Sequence, residues 1–300
     1  MHGLVLWGIS SILNDQLALA TFFMVLAISF KQMALYFAFP FGVYALARLY
    51  DRHKGNLVKI GGSIIGLIAV FIATLLAVWS PLIYAGGMAT VSDILYRIFP
   101  IRRAIFEGKV ATFWCMINHC GLSFLKVNNW DRVIQLRMTT LTTVVLCIPS
   151  LVMLAMRPTR RNFLHCQIAV CMAFFLFSMQ VHEKQILSPL LVFNLCVATG
   201  SFTKWYPLVN LLCFSSLFTL FIGIDCEKTA TAIYLAIIAL SGRDIPLLAL
   251  GFTNLLIGYL WIGPSDLEQL LFHFTHFVFF SLIFLSIHWL MYTEIVLKRS

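Results

Sequence analysis

Ile60–Trp79, IGGSIIGLIAVFIATLLAVW, carries no charged residue from end to end. As a helix rising 1.5 Å per residue, such a run has the length of the hydrocarbon core of a bilayer. Apolar runs of this kind recur. They cover Leu17–Phe30, Met33–Ala47, Met138–Met156, Phe163–Val181, Ile186–Gly200, Trp205–Ile224, Thr229–Leu240, Ile245–Ile262 and Leu271–Leu297. Charged residues make up 11% of the chain and hydrophobic ones 61%, with a mean hydropathy of +0.92. A soluble domain carries about 25% charge, and its interior cannot hide this much apolar surface. The runs are continuous, whereas barrel strands alternate over about ten residues. The sequence therefore predicts an all-α, polytopic transmembrane protein. It reads as a single membrane domain over residues 1–300, with about ten or eleven spans.

The first span is incomplete. Leu4–Leu13 supplies half the required length before Asn14-Asp15-Gln16 interrupts it. No basic n-region or small-residue cleavage site marks a signal peptide. A single helix over 17–47 would be too long and would bury Lys31, at about 2.5–3.5 kcal/mol or more. Two short helices turning at Lys31-Gln32 fit better, with Pro40 expected to kink the second.

The net charge of +9 raises nucleic acid as a partner, but in a membrane chain basic residues collect in cytosolic loops and orient the helices. Arg48, Arg52, Lys54 and Lys59 place their loop in the cytosol. Arg157, Arg160, Arg161, Lys204, Arg243 and the Lys298-Arg299 terminus follow suit if 80–137 makes no net crossing. That segment then reads as a luminal, re-entrant or amphipathic stretch. Asp225, Glu227 and the loop 264–269 fall on the same non-cytosolic face, as do Lys31 and His182-Glu183-Lys184. Three polar clusters at one membrane surface are a candidate site.

Each cluster has two readings. VHEKQIL (181–187) lacks the second His of HExxH, since Ile186 stands four residues after His182, so zinc is set aside there. Its charges either snorkel from a helix end or bind an anionic headgroup or phosphate, with Glu183 orienting a neighbour. In YRIFPIRRAIFEGKVATFWC (96–115), Arg97, Arg102, Arg103 and Lys109 interleave with aromatic and aliphatic residues. The segment either anchors at the interface or covers a phosphate-bearing lipid, for which Arg97 offers a planar fork. Lys31 and Gln32 are interfacial anchors or further phosphate ligands. Cys115 and Cys120 flank the luminal stretch and could pair, although spacing alone does not show their Cβ atoms approaching. His273, His276 and His288 read as polar packing groups. No Gly-rich phosphate loop, nucleophile elbow or cofactor fingerprint is present, and no metal-ligand set is evident.

KQMALY (31–36), RIFPIRRAIFEGKVATFWC (97–115) and FLFSMQVHEKQIL (175–187) occur in this order. Together they resemble the signatures of the ALG6/ALG8 glucosyltransferase family, the dolichyl-phosphate-glucose-dependent α-1,3-glucosyltransferases of the endoplasmic reticulum. The resemblance extends to about residue 200, and the KQM form is closer to the ALG6-like member. Ala34 stands where the family has Glu, Ala104 where it has Gly, Gly108 where it has Asp and Thr112 where it has Asn.

The resemblance implies a GT-C-type fold in the endoplasmic reticulum membrane, with a luminal active face and a cytosolic C-terminus. It implies inverting transfer of glucose from dolichyl phosphate glucose to a dolichyl-pyrophosphate-linked high-mannose oligosaccharide; the reading of the net charge leaves no nucleic-acid partner. His182, Arg97, Lys184 and Lys31 are the implied substrate-binding residues. Glu183, Gln32, Arg102 and Trp114 support them. The family's catalytic Asp lies in a luminal loop ahead of the region this chain covers. The resemblance thus implies a C-terminal portion whose catalytic residue lies upstream of Met1. A transporter, or a non-catalytic lipid-binding relic, are the alternatives.

Overall fold

Polar breaks and glycines decide where the helices stop. The structure is a computed structural model that describes residues 1–98, 110–120, 122, 126–217, 220 and 266–297. Its described helices are α1 (His2–Leu13), α2 (Leu17–Phe30), α3 (Leu35–Arg52), α4 (Leu57–Gly86), α5 (Ala89–Ile98), α6 (Phe113–Asn118), α7 (Arg132–Met156), α8 (Arg160–Phe177), α9 (Leu187–Ala198), α10 (Tyr206–Ser216) and α11 (Asp266–Leu297). Four stretches among them are long and apolar enough to cross a membrane: Gln32–Arg52, Leu57–Gly86, Arg132–Met156 and Leu271–Val296. The spans expected over 229–240 and 245–262 lie outside the described residues, as do Asp225 and Glu227.

Several ends differ from expectation. α4 runs past Trp79 and through Pro81 to Gly86, stopping at Gly87 with φ +69°. Proline removes only one N–H from a helix that stays apolar through Leu82-Ile83-Tyr84, whereas a glycine at positive φ, a backbone other residues rarely adopt, ends it. α7 begins at Arg132 rather than Met138, because Asp131 caps it through the Val133 N–H at 2.8 Å. α8 ends at Phe177 rather than Val181, which widens the break before α9. Between residues 110 and 131 the described helical elements are α6 and a 3₁₀ turn, Val127–Asn129, both too short to span. α3 continues through Pro40 as one helix.

Burial separates two kinds of helix. In α4 the large side chains of Ile65, Ile68, Phe71, Ile72 and Leu76 are exposed, and Thr74 is its buried residue. In water such a surface would be untenable; in lipid it is the favourable one. α8 is the opposite, buried at every position from Asn162 to Ala173 and carrying His165 and Gln167 inside. Burial at successive positions round the helix means that neighbours enclose it on all sides, polar residues included.

The chain divides into two compact units. The first draws on Met1–Arg103, Ser150–Val170 and Met291–Ser300, and the second on Ala104–Pro149 and Cys171–Leu290. In the first, Phe41 and Tyr44 of α3 pack on Phe163 of α8 at 5.2 and 4.9 Å between ring centroids. Gln167 donates to the Phe37 carbonyl at 3.2 Å, which accounts for an amide in that core. α1 and α2 fold back at Asp15, whose φ of +63° is a conformation Asp tolerates better than most residues. Its carboxylate accepts a bidentate pair from Arg48, Nε at 3.1 Å and Nη2 at 2.7 Å. Arg161 pairs with Glu294 at 3.1 Å, and Arg157 donates to the Glu294 backbone carbonyl. Tyr44 lies within electrostatic reach of Arg48, Asp15 and Arg160, so these charges share one end of the unit. An apolar groove of about 330 Å³ runs between α1–α4, lined by Leu17, Met24, Phe41, Leu67 and Phe71 among others.

Candidate functional site

The polar motif after α8 forms a tight turn. Gln180 has φ +62°, His182 is extended, and Glu183–Ile186 forms a 3₁₀ turn that leads into α9. Val181 and Ile186 are buried, which pins both ends of the turn. Gln185 donates to the Gln180 carbonyl at 3.3 Å and closes it further.

Within that turn, His182 Nδ1 lies 2.7 Å from Glu183 Oε2. The same nitrogen is 3.4 Å from the Lys184 backbone N–H. It cannot donate to one and accept from the other, and the shorter contact to a carboxylate is the stronger. Nδ1–H therefore donates to Glu183, which fixes the orientation of the ring. Glu183 is not snorkelling: its side chain is 8% exposed against 38% for His182. A buried carboxylate holding a half-open imidazole is an orienting pair. Lys184 is exposed beside it.

Trp114 fixes the start of this turn. Its indole N–H donates to the Phe177 carbonyl at 2.6 Å, satisfying a backbone acceptor that the end of α8 leaves open. Trp114 and Val127 form a buried cluster with Phe113, Ile117, Trp130 and Met179 packed around it. Gln135 of α7 donates to the Val127 and Trp130 carbonyls at 2.8 and 3.0 Å. The aromatic motif and the HEK motif, about 70 residues apart in sequence, thus meet within the second unit.

The remaining candidates belong to the first unit. Lys31 sits at the α2–α3 break as expected, extended at φ −159° and exposed, followed by a 3₁₀ turn, Gln32–Ala34. Gln32 is partly buried, while Ala34 is fully enclosed. Arg97 lies in the last turn of α5. Arg102 lies outside the described residues, as do Ala104 and Gly108. The departure at Thr112 is structurally mild. Its Oγ accepts from the Cys115 N–H at 3.1 Å and caps α6, a task Thr and Asn both perform.

Cys115 and Cys120 are not joined in a disulfide. Instead, Cys115 Sγ lies 3.3 Å from His273 Nε2, and the side chains of Cys115, His119 and His273 offer ligand atoms within 4.8 Å of one another. Sequence reasoning missed this set. The Cys-x₃-His spacing of Cys115 and His119 was the available signal, and its third member stands 158 positions from Cys115. His276 and His288 are packing groups as expected. His276 meets Ser215 Oγ at 2.9 Å and the Phe272 carbonyl at 2.9 Å, and His288 meets the Phe284 carbonyl at 2.9 Å.

Helices long and apolar enough to cross a membrane, with no strand among the described residues, mark an all-α membrane protein. The chain belongs to the ALG6, ALG8 glycosyltransferase family, whose model matches residues 1–299, well beyond the stretch to about residue 200 that carries the motifs. It is 37% identical over 224 residues to a dolichyl pyrophosphate Man9GlcNAc2 alpha-1,3-glucosyltransferase of Saccharomyces cerevisiae, covering 73% of this chain and 39% of that protein. A probable enzyme of the same name from Schizosaccharomyces pombe is 37% identical over 224 residues, covering 73% and 42%. The Pongo abelii protein of that name is 33% identical over 210 residues, covering 69% and 40%. The chain thus spans about two fifths of the length of these curated relatives.

Proposed function

We propose that this chain forms the donor-phosphate side of an α-1,3-glucosyltransferase of the endoplasmic reticulum membrane. The donor is dolichyl phosphate glucose and the acceptor is dolichyl-pyrophosphate-linked Man9GlcNAc2. The observation that carries the reading is the 2.7 Å His182–Glu183 contact on a turn between two helices of a family member. In the transfer, an acceptor hydroxyl attacks C1 of glucose from the face opposite the phosphate and inverts that carbon. The C1–O bond to phosphate breaks, and dolichyl phosphate leaves with the electron pair. Negative charge grows on the departing phosphate, where oriented donors act most effectively.

His182 meets that charge by donating from Nε2–H, with both ring nitrogens carrying a proton and Nδ1–H held by Glu183. Lys184 on the same turn is a further cationic donor, and Trp114 holds the turn in place. Arg97 and Lys31, with Gln32 and Arg102 in support, are substrate-binding residues on the family resemblance alone. Glu183 is engaged with His182, so the acceptor's proton goes to a carboxylate that none of these residues provides. The clustering of Arg48, Arg52, Arg157, Arg160 and Arg161 at one end of the first unit supports a cytosolic assignment for that end. The positive-inside pattern of the loops supports a luminal assignment for the motifs and a cytosolic C-terminus.

The test is donor binding by the chain in lipid nanodiscs, with dolichyl phosphate glucose as the probe. His182→Ala is expected to weaken binding about tenfold to a hundredfold, the worth of a charge-assisted hydrogen bond. Unchanged binding by a well-folded His182→Ala protein sinks the assignment. Glucose transfer to the Man9GlcNAc2 lipid, assayed alongside, reports whether these residues suffice for turnover.

A further inference from the structure

We infer that Cys115, His119 and His273 form a binding site for a borderline-soft divalent cation of the zinc type. The argument rests on geometry within the second unit and does not depend on the proposed transferase reaction. Cys115 and His119 stand four residues apart at α6 and its C-cap, so their side chains share a face. His273 of α11 comes to the same point, with Nε2 3.3 Å from the Cys115 sulfur. Two ligands at about 2.3 and 2.05 Å from a tetrahedral ion are themselves about 3.5 Å apart, so this pair already has ligand spacing. No pair of ligand atoms in the set is wider than 4.8 Å. Closing a 4.8 Å pair to tetrahedral spacing takes about 1.3–1.5 Å. His119, half-open at the helix end, has room to supply it.

The second observation is the orientation of His119. Its Nδ1 donates to the Cys115 backbone carbonyl at 2.8 Å. That bond occupies Nδ1 and fixes the tautomer, which leaves Nε2 as the nitrogen with a lone pair for a metal, as in established zinc sites. Its ring lies 5.4 Å from the His273 ring, tilted by 32°. Thr112 Oγ holds the Cys115 N–H and so anchors the thiol's own backbone. One thiolate and two imidazoles favour zinc-like ions and disfavour magnesium or calcium, which take oxygen ligands. Cys115 and His273 are fully enclosed while His119 is partly exposed, so the ion enters from the His119 side. Three protein ligands leave one position for water. Bound there, the ion clamps α6 to α11. Trp114 is adjacent to Cys115 on α6, so the clamp also steadies the indole that holds the end of α8.

The purified full chain, stripped of metal and reloaded with Zn²⁺, is expected to hold one ion per folded chain by elemental analysis. Co²⁺ is expected to give tetrahedral ligand-field absorption and a near-ultraviolet thiolate-to-metal band. Cys115→Ser and His273→Gln should abolish both signals. His119→Gln should weaken affinity about tenfold or more. His276→Gln, whose imidazole meets Ser215, should change neither. Should the buried variants fold poorly, the wild-type protein decides the matter, because bound Zn²⁺ must slow alkylation of Cys115 below its own rate in the metal-free protein and leave that of Cys120 unchanged. Absence of the thiolate band in wild type, alkylation of Cys115 at the same rate with and without Zn²⁺, or zinc retained by folded Cys115→Ser and His273→Gln proteins overturns the proposal.

Discussion

Two turns in this molecule share a backbone plan and differ in what they enclose. At Lys31 and at His182, a basic residue in extended conformation precedes a 3₁₀ turn that runs into a helix. At the first, the turn encloses Ala34 and leaves Lys31 in the open. At the second, it encloses Glu183, whose carboxylate holds the neighbouring imidazole. A lone exposed cation keeps its rotamer freedom and its hydration, so it attracts an anion without aiming at it. An imidazole braced by a buried carboxylate has lost that freedom before the ligand arrives, and less is lost on binding. Turn geometry is therefore shared scaffolding, and the buried partner sets how directed the site is.

The strongest way to sharpen this contrast is to remove the brace. Glu183→Gln keeps the shape of the side chain and replaces an ionic hydrogen bond by a neutral one of roughly half its strength. Donor affinity in nanodiscs should fall about tenfold by titration, while Lys31→Ala at the other turn should lower it only a few-fold. Equal losses at the two positions would break the comparison.

Trp114→Phe comes next. It keeps most of the apolar contact with Val127 and Met179 but deletes the 2.6 Å bond to the Phe177 carbonyl. A loss of about 1 kcal/mol is expected in thermal unfolding, together with faster amide exchange across 178–186. Exchange at Lys31–Ala34 should not change.

The smallest effect belongs to Asp15, a pair fixed by the first unit rather than by either turn. Arg48's hydrogen bond holds the Asp15 carboxyl below its usual range. A folded value lower than the unfolded one means the contribution is complete above the unfolded pKa, near 3.9, and is lost as pH falls through the folded value. Both side chains are more than a third exposed, at 36% and 39%, so the pair is worth about 1 kcal/mol or less. Asn tolerates the left-handed backbone at this position as Asp does. Asp15→Asn should therefore cost only that amount at neutral pH, and the gap to wild type in melting temperature should close below about pH 4. A gap that persisted in acid would show that the backbone, not the charge, was perturbed.

Much of the architecture was legible in the sequence because lipid leaves little choice. An uncharged run such as Ile60–Trp79 must be helical to satisfy its own backbone, and Lys31 must break a helix that would otherwise carry it into the membrane. Helix ends were less legible. Pro81 did not stop α4, while Asp131 started α7 before its apolar run began. Such ends turn on one hydrogen bond or one glycine rather than on hydropathy.

The sequence by itself determined an all-α membrane chain, its family and the motifs worth examining, since all three follow from residue order and lipid solubility. Tertiary structure alone decided that Glu183 is buried against His182, that Trp114 carries the last carbonyl of α8, and that His273 reaches Cys115. Those are relations between side chains whose backbones are far apart in sequence or whose burial depends on neighbours. Apolar periodicity records which faces are oily and is silent on which polar groups share one pocket.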